Sequence, residues 1–556
     1  MGQTRWPRGF LITLLAAALV PSAQAVPPNG QGHSGNGTPI QLVSDTLRAK
    51  LTTAAPSQDV EVIVRFSRTT NAQDRKAVTQ LGATSVRDLK IVPALAVRIP
   101  AYRVDALTQV SKVAWIGEDA VVTPSLDVAR EAAGLPGPGA PPLAQTGAGI
   151  TVAVLDSGIA AHPDLAGRIA ASVDMLAGGM SVTPFDPHGH GTHVAGIVAG
   201  SGVSSNGRYR GIAPGARLVS VRVLDAAGAG RTSDVIAGLQ WVRANRAAYG
   251  IRVAVLSLGH PVQEKAAMDP LVSAVQALES AGVVVVCSAG NYGRNGNFTV
   301  TSPGTAPSAV TVGALVDWNT YTNGDDMVAS YSSRGPTLFD HLAKPDLLAP
   351  GNRVVSLRAP NSTLDRQHPE LRVGGSNGQD PPVATGQTGG TSALGRSGGH
   401  RSSSASYFEL SGTSMAAPMV AGAAALMLEA RPGLTPDSVK GRLMRSAGKA
   451  PGSDPYARGA GRLDVAAALT ATGMATNARS PEVRRGATTG TLSVAAPGTV
   501  WGNPQQWTVR GLWGDAVWND TVLWGDTVLW GDSVVGADTA LWGDSTVHGD
   551  HVVNGD

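Results

Sequence analysis

Three side chains of the types used in nucleophilic catalysis occur in three separate motifs of the chain. Asp156 ends the apolar run TVAVLD, His190 lies in DPHGHGTHVAG, and Ser414 lies in SGTSMAAP. A hydroxyl, an imidazole and a carboxylate can act together as nucleophile, general base and orienting group when the fold brings them into contact. These residue types therefore predict acyl transfer through a serine, provided that the fold assembles them.

Each of the three residues also has a structural interpretation when it is considered alone. An aspartate at a strand end commonly caps a turn, and a serine at a helix start commonly acts as the N-cap. His188 and His193 flank His190 and raise zinc as an alternative, but no HExxH glutamate is available as the base. We expect His188 to be a loop residue and His193 to be a packed helix residue.

A fourth motif, VVVVCSAGN, places Asn291 at the end of an apolar strand, directly after a glycine. An asparagine amide in this position can donate a hydrogen bond to an oxyanion, although asparagine at a strand end is also a common turn residue. Ser414 opens a run that is apolar all round, which predicts a buried helix. Backbone N–H groups at the start of such a helix favour developing negative charge.

The elements that position these residues follow from the apolar pattern after Thr151. Continuous apolar runs alternate there with amphipathic helical stretches, which is typical of a parallel sheet covered by helices on both faces. The functional groups of such sheets gather beyond the carboxyl ends of the strands. The pattern predicts a doubly wound, mostly parallel α/β sheet built from TVAVLD, RLVSVRVLD, RVAVLSLG, GVVVVCSAGN and AVTVGAL.

Taken together, the motifs resemble the subtilase family of serine peptidases. The resemblance spans residues 145 to 470 and rests on the order Asp, His, Ser and on the blocks DSGI with HPDL, HGTHVAG, GIAPGARL, SLG, SAGN, SGTSMAAP and GAGRLDVAAAL. It implies a subtilisin-like fold with Ser414 as the nucleophile, His190 as the general base and Asp156 as the group that orients the imidazole. It also implies an oxyanion hole formed by Asn291 and the Ser414 N–H.

The resemblance further implies a pocket for P1, the substrate residue on the N-terminal side of the cleaved bond. We expect its small side chains to leave room for a large apolar P1 residue. His260 and Tyr292 are expected to make the rim bulkier than in many subtilases. The residues implied as pocket walls are Ser257, Leu258, Gly259, Ala289 and Gly290.

The chemistry implied by the resemblance requires no cofactor. Some subtilases hold calcium at the position of the loop GSGVSSNGRYRG, residues 200–211, but this loop lacks any carboxylate. Calcium normally takes several oxygen ligands, including charged ones. A structural calcium ion held by other loops and the absence of calcium both remain open.

Composition narrows the classes of function. The net charge is +3 and the chain contains no long Lys/Arg run, so we expect no nucleic-acid partner. Cys287 is the single cysteine, which excludes an internal disulfide.

The N-terminus has the pattern of a signal peptide: Arg5 and Arg8, then the apolar run 10–20, then an AQA site that ends at Ala25. The apolar run is too short to span a bilayer. We therefore expect a secreted, extracellular protein without membrane association after signal removal.

The domain organisation follows from changes in composition along the chain. A compact α+β pattern between Val60 and Val122 resembles the inhibitory propeptide of subtilases, with an ordinary accessory domain as the alternative. A stretch dominated by small polar residues predicts a flexible insertion in the core. The predicted units are a signal peptide (1–25), a leader and propeptide (26–125), a catalytic domain (126–475) with a flexible insertion (361–406), a linker (476–512) and a tail (513–556).

The tail repeats a hexapeptide of the form TVLWGD and contains no Lys or Arg. Its aspartates follow one another at six-residue intervals from Asp520 to Asp556. A left-handed β-helix, binding of a surface glycan or calcium, self-association and disorder all remain open, and the sequence names no partner for the tail.

Together these features predict a secreted zymogen whose partners are protein or peptide substrates and its own propeptide. A cell-surface binding protein with an inert core is one alternative. A sedolisin-like acid peptidase is another, but that class uses a glutamate base, whereas His190 favours activity at neutral to alkaline pH.

Overall fold

A computed structural model describes residues 42–119, 121–122, 133–135, 143–317, 326–374, 405–448, 454–485 and 492–495. The predicted signal peptide, most of the leader, the predicted propeptide boundary near residue 125 and the hexapeptide tail lie outside the described residues.

The first folded unit is an α+β sandwich, as its sequence pattern predicts. Apolar side chains alternate along its first strand, so that Val62 and Val64 pack against the helices of the unit. Ile63 points to the opposite face and joins the apolar core of the large unit that follows. The elements are α1 (Asp45–Thr53), β1 (Asp59–Phe66), α2 (Ala72–Gln80), β2 (Ser85–Leu89), β3 (Ala94–Pro100), a 3-10 helix (Ala101–Gln109) and β4 (Val113–Glu118), with the antiparallel order β2-β3-β1-β4.

The large unit is built on a twisted sheet whose central strands are buried on both faces. Val152 and Val154 face one apolar core, whereas Ala153 and Leu155 face the other. The elements of this part of the chain are β5 (Val121–Val122), β6 (Thr151–Asp156), β7 (Ile169–Asp174), β8 (Met180–Ser181), α3 (His190–Ala199), β9 (Arg217–Arg222), β10 (Gly230–Arg231), α4 (Thr232–Tyr249), β11 (Ile251–Leu256), α5 (Pro270–Glu279), β12 (Val284–Ser288), β13 (Val310–Val316), β14 (Met327–Val328) and β15 (Leu347–Pro350). Strands β5 and β10 pair with each other in a separate two-stranded sheet.

The strand order of this sheet is β14-β13-β12-β11-β6-β9-β7-β8, with β15 also paired to β13. The strand pairs are parallel except at β14 and β8, which add antiparallel edges. The prediction of a doubly wound, mostly parallel α/β sheet is therefore confirmed. The carboxyl ends of β6, β11 and β12 lie side by side, because these three strands are neighbours.

The remaining elements complete the core and its C-terminal cover. They are β16 (Val354–Leu357), α6 (Thr363–Gln367), β17 (Arg372–Val373), β18 (Tyr407–Leu410), α7 (Thr413–Ala430), α8 (Pro436–Ser446), α9 (Pro455–Arg458), α10 (Val465–Thr470), β19 (Glu482–Arg485) and β20 (Leu492–Ala495), with short 3-10 turns at Pro163–Leu165, Val203–Ser205, Gly293–Asn295 and Pro369–Leu371. Helices α3 and α7 pack on one face of the sheet, and α4 and α5 pack on the other.

Among the described helices, α7 has the length and hydropathy of a membrane span, but 89% of it is buried within the protein. It is the central core helix, which explains its apolar composition.

The predicted flexible insertion at 361–406 is wrong for its first part. Helix α6 and strand β17 lie within it, and Asp365 is buried between two arginines. The Asp365 carboxylate accepts hydrogen bonds from Arg358 at 2.6 and 2.9 Å and from Arg372 at 2.7 Å. The polar composition suggested a flexible segment, but in the folded protein the carboxylate and the two guanidinium groups satisfy one another's hydrogen bonds. Residues 375–404 lie outside the described residues.

The predicted linker at 476–512 is also wrong at its start, because residues up to 485 are folded onto the large unit. Ser480 is buried and donates a hydrogen bond to Asp346 at 2.7 Å. Val483 is 1% exposed, and its N–H bonds to the His341 carbonyl at 2.7 Å. This segment is therefore part of the large unit.

Candidate active site

Asp156 and His190 form a buried pair at the carboxyl end of strand β6. Nδ1 of His190 lies 2.8 and 2.9 Å from the two carboxylate oxygens of Asp156, and both residues are 0% exposed. This contact selects the tautomer with the proton on Nδ1. Nε2 of His190 is buried and has no hydrogen-bond partner among the described residues. The imidazole is thus oriented with Nε2 free to accept a proton.

The start of helix α3, which carries His190, is held by Asp186, a residue that the sequence analysis missed. Asp186 accepts hydrogen bonds from the Ser157 hydroxyl at 2.8 Å and from the N–H and hydroxyl of Thr192 at 2.8 and 2.7 Å. Ser157 in turn accepts the Gly191 N–H at 3.0 Å. Burial raises the pKa of Asp186, and the hydrogen bonds from the Gly189 N–H and from the hydroxyl and N–H of Thr192 oppose the shift. Its position four residues before His190 was the available signal.

Ser414 is the second residue of helix α7, which begins at Thr413 after Gly412 at φ 141°. Its hydroxyl donates to the Ser257 carbonyl at 3.2 Å, and the Ser257 hydroxyl donates to the Ser414 carbonyl at 2.8 Å. The N-cap interpretation of Ser414 is therefore wrong. No hydrogen bond joins the Ser414 hydroxyl to Nε2 of His190 in this structure.

Asn291 lies directly after the loop that follows β12, and its amide is oriented by the start of helix α7. Its Oδ1 accepts hydrogen bonds from the Thr413 N–H and from the Thr413 hydroxyl, both at 3.0 Å. Its Nδ2 is buried and has no partner among the described residues. Thr413 was not singled out from the sequence, although it directly precedes Ser414. The amide therefore presents unused N–H donors.

The residues predicted as P1 walls follow two neighbouring strands. Ser257, Leu258 and Gly259 come after β11, and Ala289 and Gly290 come after β12. The structure thus brings both segments to the same edge of the sheet as Asp156.

The rim role predicted for His260 and Tyr292 stays a prediction, and the two side chains differ in exposure. Tyr292 is 40% exposed, as a rim residue would be. His260 is 6% exposed, and its backbone pairs with Ser302.

The other two histidines of the motif have the structural roles that were expected. Nε2 of His193 lies 3.0 Å from the carbonyls of Val354 and Phe408, and burial lowers its pKa to about 3. His188 precedes helix α3 in a loop, where burial and the nearby His190 lower its pKa to about 4. Within the described residues, no group of three or more His, Cys, Asp or Glu side chains is arranged to hold a metal ion.

The loop at 200–211 is held by hydrogen bonds to Asp164. The buried Asp164 carboxylate faces this loop and accepts the N–H groups of Gly202 and Ser204 at 2.9 and 3.0 Å and the Tyr407 hydroxyl at 2.8 Å. Burial raises the pKa of Tyr407, which keeps its hydroxyl protonated as a donor. Because hydrogen donors converge on this carboxylate, calcium would compete with them for its oxygens.

The profile of the subtilase family matches residues 147–480, which is more than half of the chain. The chain belongs to the subtilase family. This confirms the predicted serine-type peptidase and its use of an Asp/His/Ser triad on protein substrates. The zinc and acid-peptidase alternatives lose their support, because the group paired with Asp156 is His190.

Individual proteins support the same assignment. This subtilase is 43% identical over 325 residues to serine protease AprX of Bacillus subtilis (strain 168), a match that covers 58% of this chain and 66% of that protein. It is 31% identical over 424 residues to subtilisin E of the same organism, covering 74% and 91% of the two chains. The solved structure of fervidolysin from Fervidobacterium pennivorans covers 79% of this chain and 67% of its own at a TM-score of 0.55 and 21% identity, which supports the fold.

Proposed function

We propose that this subtilase is a secreted endopeptidase that cleaves proteins through an acyl-enzyme, with Ser414 as the nucleophile. The observation that carries the proposal is the buried Asp156–His190 pair, whose free Nε2 can accept the hydroxyl proton. Ser414 Oγ bonds to the carbonyl carbon of the substrate and its proton passes to His190. The imidazolium then gives that proton to the leaving amine as the C–N bond breaks. Water next attacks the acyl ester and gives a proton to His190, which passes it to Ser414 Oγ as the ester C–O bond breaks.

The oxyanion of the tetrahedral intermediate would be stabilised by Nδ2 of Asn291 and by the backbone N–H of Ser414. The positions of the two donor groups support this role. Thr413 orients the Asn291 amide, and helix α7, which carries Ser414, starts at Thr413. Donors that are already oriented need no reorganisation when the charge develops.

We further propose that the α+β unit is an inhibitory propeptide that the enzyme removes itself. This unit contacts the helices of the catalytic core: Arg87 pairs with Asp234 of α4 at 2.7 Å, and Asp119 accepts the Ser233 N–H at 2.7 Å at the start of that helix. The chain then forms the strand β5, which pairs antiparallel with β10. An extended segment of the same chain therefore occupies a strand edge of the core, as a bound peptide would.

Secretion is proposed from the signal-peptide pattern at 1–25. A structural calcium ion remains a proposal for loops other than 200–211, and the chemistry proposed above requires no cofactor.

Casein hydrolysis by the secreted protein tests the proposed activity. We expect cleavage at neutral to alkaline pH that a serine-directed covalent inhibitor abolishes, with label incorporated at Ser414 and none in Ser414→Ala. Processed, folded protein that never cleaves casein would instead support the alternative of a cell-surface binding protein with an inert core.

A further inference from the structure

The loop 187–189 leads directly into His190, the first residue of helix α3. On one side of the loop, two of its backbone N–H groups bond to the Asp186 carboxylate, at 2.8 and 3.1 Å. On the other side, its carbonyls are bound by a segment far along the chain, the turn 359–365. The position at which the chain enters α3 is therefore fixed from both sides.

The turn 359–365 holds this loop through its own backbone. The Thr363 N–H donates to the Pro187 carbonyl at 2.9 Å. The next N–H in the turn, that of Leu364, donates to the His188 carbonyl at 3.0 Å. Because both bonds are made by the backbone, they depend on the conformation of the whole turn and not on one side chain.

The turn also fills the space directly behind Gly189. A Cβ added to Gly189 would lie 2.5 Å from Ser362 Oγ and 3.6 Å from the Cβ of Leu364. The same Ser362 hydroxyl accepts the Asp365 N–H at 3.3 Å. Any shift of the turn therefore changes the packing at the residue that directly precedes His190.

Asp365 holds the turn in this conformation. Its carboxylate accepts the Asn361 N–H at 2.9 Å, which closes the turn on itself. It also pairs with Arg358, which precedes the turn, and with Arg372, which follows it. Asp365 is 2% exposed and Arg358 is 5% exposed. In so buried a network no water replaces a lost partner, so the carboxylate sets the shape of the turn.

We infer that Asp365 is a positioning residue for catalysis, which fixes the ring of His190 by way of the turn 359–365 and the loop 187–189. The inference rests on the proposed function, in which His190 is the general base. Asp365 acts only through the backbone of the loop. A misplacement of about 1 Å, caused by a change remote from the reacting atoms, can lower a rate about 100-fold.

Kinetics of Asp365→Asn on a peptide p-nitroanilide are the first test. The substitution keeps the size of the side chain and turns an amide N–H group toward the guanidinium groups. We expect kcat to fall about 10- to 100-fold at nearly unchanged KM, because the assigned pocket segments 257–259 and 289–290 bind the substrate and the turn does not.

Ser480→Ala is the matched control. It also removes a hydrogen bond to a buried carboxylate, that of Asp346. Within the described part of the chain, neither Ser480 nor Asp346 bonds to the loop 187–189. Ser480→Ala should therefore lose stability and keep the wild-type kcat.

Proton NMR in a Ser414→Ala background is the second test, because it follows His190 without catalysis. The Nδ1 proton that His190 donates to Asp156 gives a downfield signal. This signal should shift or broaden in Asp365→Asn and stay unchanged in Ser480→Ala. Thermal unfolding of the same proteins shows whether each variant is folded.

Arg372→Gln takes the place of Asp365→Asn if the latter does not fold. It removes one of the two guanidinium partners and leaves the pair of Arg358 and Asp365 intact. Both kcat and the Nδ1 signal should change in the same direction as in Asp365→Asn, by a smaller amount.

The inference is overturned if the folded variant has the kcat and the Nδ1 signal of Ser480→Ala. A raised KM at unchanged kcat would overturn it as well, since it would show an effect on substrate binding. If the wild type hydrolyses neither peptide nor casein, the proposed function fails, and the NMR comparison still decides whether Asp365 positions His190.

Discussion

At the residue scale, two polar atoms of the site lack partners although they are buried. Nε2 of His190 and Nδ2 of Asn291 have no hydrogen-bond partner among the described residues, while the other polar atom of each side chain is firmly bound. An unsatisfied buried polar group costs about 1–3 kcal/mol. A reacting substrate can satisfy both atoms, so the free enzyme already holds them in position for the transition state.

Asn291→Ala should therefore lower kcat by about 100- to 1000-fold with little change in KM, because the lost hydrogen bond forms fully only in the transition state. Steady-state kinetics on a peptide p-nitroanilide measures both constants. Asn295→Ala is the control, since Asn295 is an exposed residue of the same loop. A raised KM at unchanged kcat would show that Asn291 binds the ground state instead.

At the element scale, the loop at 200–211 is connected to strand β18 through Asp164 and Tyr407. Tyr407→Phe should lower the free energy of unfolding by about 1–3 kcal/mol, because it removes a donor from a buried carboxylate. Denaturant unfolding in a Ser414→Ala background measures this without self-cleavage. Tyr249→Phe is the control, since the Tyr249 hydroxyl makes no hydrogen bond with any described residue.

Removal of metal ions is a separate test of the same loop. EDTA should leave the amide hydrogen exchange of residues 200–211 unchanged, because N–H donors of this loop bond to the oxygens of Asp164. Faster exchange in this loop after EDTA treatment, reversed by calcium, would contradict the hydrogen-bonded assignment.

Residues 375–404 connect two strands that pair with each other, so the structure predicts the effect of deleting them. Strands β17 and β18 are antiparallel, with Val373 opposite Tyr407. Replacing residues 375–404 with Asn-Gly should therefore leave folding and kcat/KM intact, since a short turn can connect such a pair.

Deleting residues 365–400 is the contrasting variant. It removes Asp365, the carboxylate that pairs with the buried Arg358, and breaking a buried pair costs about 3–5 kcal/mol. Circular dichroism and thermal unfolding should show a folded protein for the first variant and a destabilised one for the second. Equal stability of the two would mean that the Asp365 cluster is dispensable.

At the scale of the whole molecule, the α+β unit and the catalytic core share one apolar cluster. Ile63, Leu89 and Trp115 of the first unit pack with side chains from α4, α5 and the sheet. Departure of the α+β unit would expose this apolar surface to water. We therefore expect the unit and the core to stay associated at least until the chain between them is cut.

Ser414→Ala should fold, be exported and keep the α+β unit attached, because the substitution removes the nucleophile and leaves helix α7 nearly unchanged. If the proposed self-cleavage occurs, the wild type, expressed without other peptidases, should start between about residues 120 and 150, after strand β4 of the α+β unit. N-terminal sequencing of both proteins decides the point. A mutant trimmed at the wild-type position would show that another peptidase performs the maturation.

The sequence by itself determined the catalytic motifs, the order of strands and helices in the core and the α+β character of the first unit. These features depend on residues that are close along the chain, where apolar runs and glycine turns show directly which face is buried and where a strand ends. The triad candidates Asp156, His190 and Ser414 could be chosen for that reason, since each lies within its own local motif.

Only the tertiary structure decided the contacts between distant segments. Tyr407 reaches Asp164 across 243 positions, and Thr301 separates Gly259 from Gly290. No local pattern predicts such pairs, because they depend on how the sheet aligns its loops. The folded stretch at 361–374 was misjudged for the same physical reason: Asp365 is polar in composition, but it becomes a buried anchor once Arg358 and Arg372 converge on it.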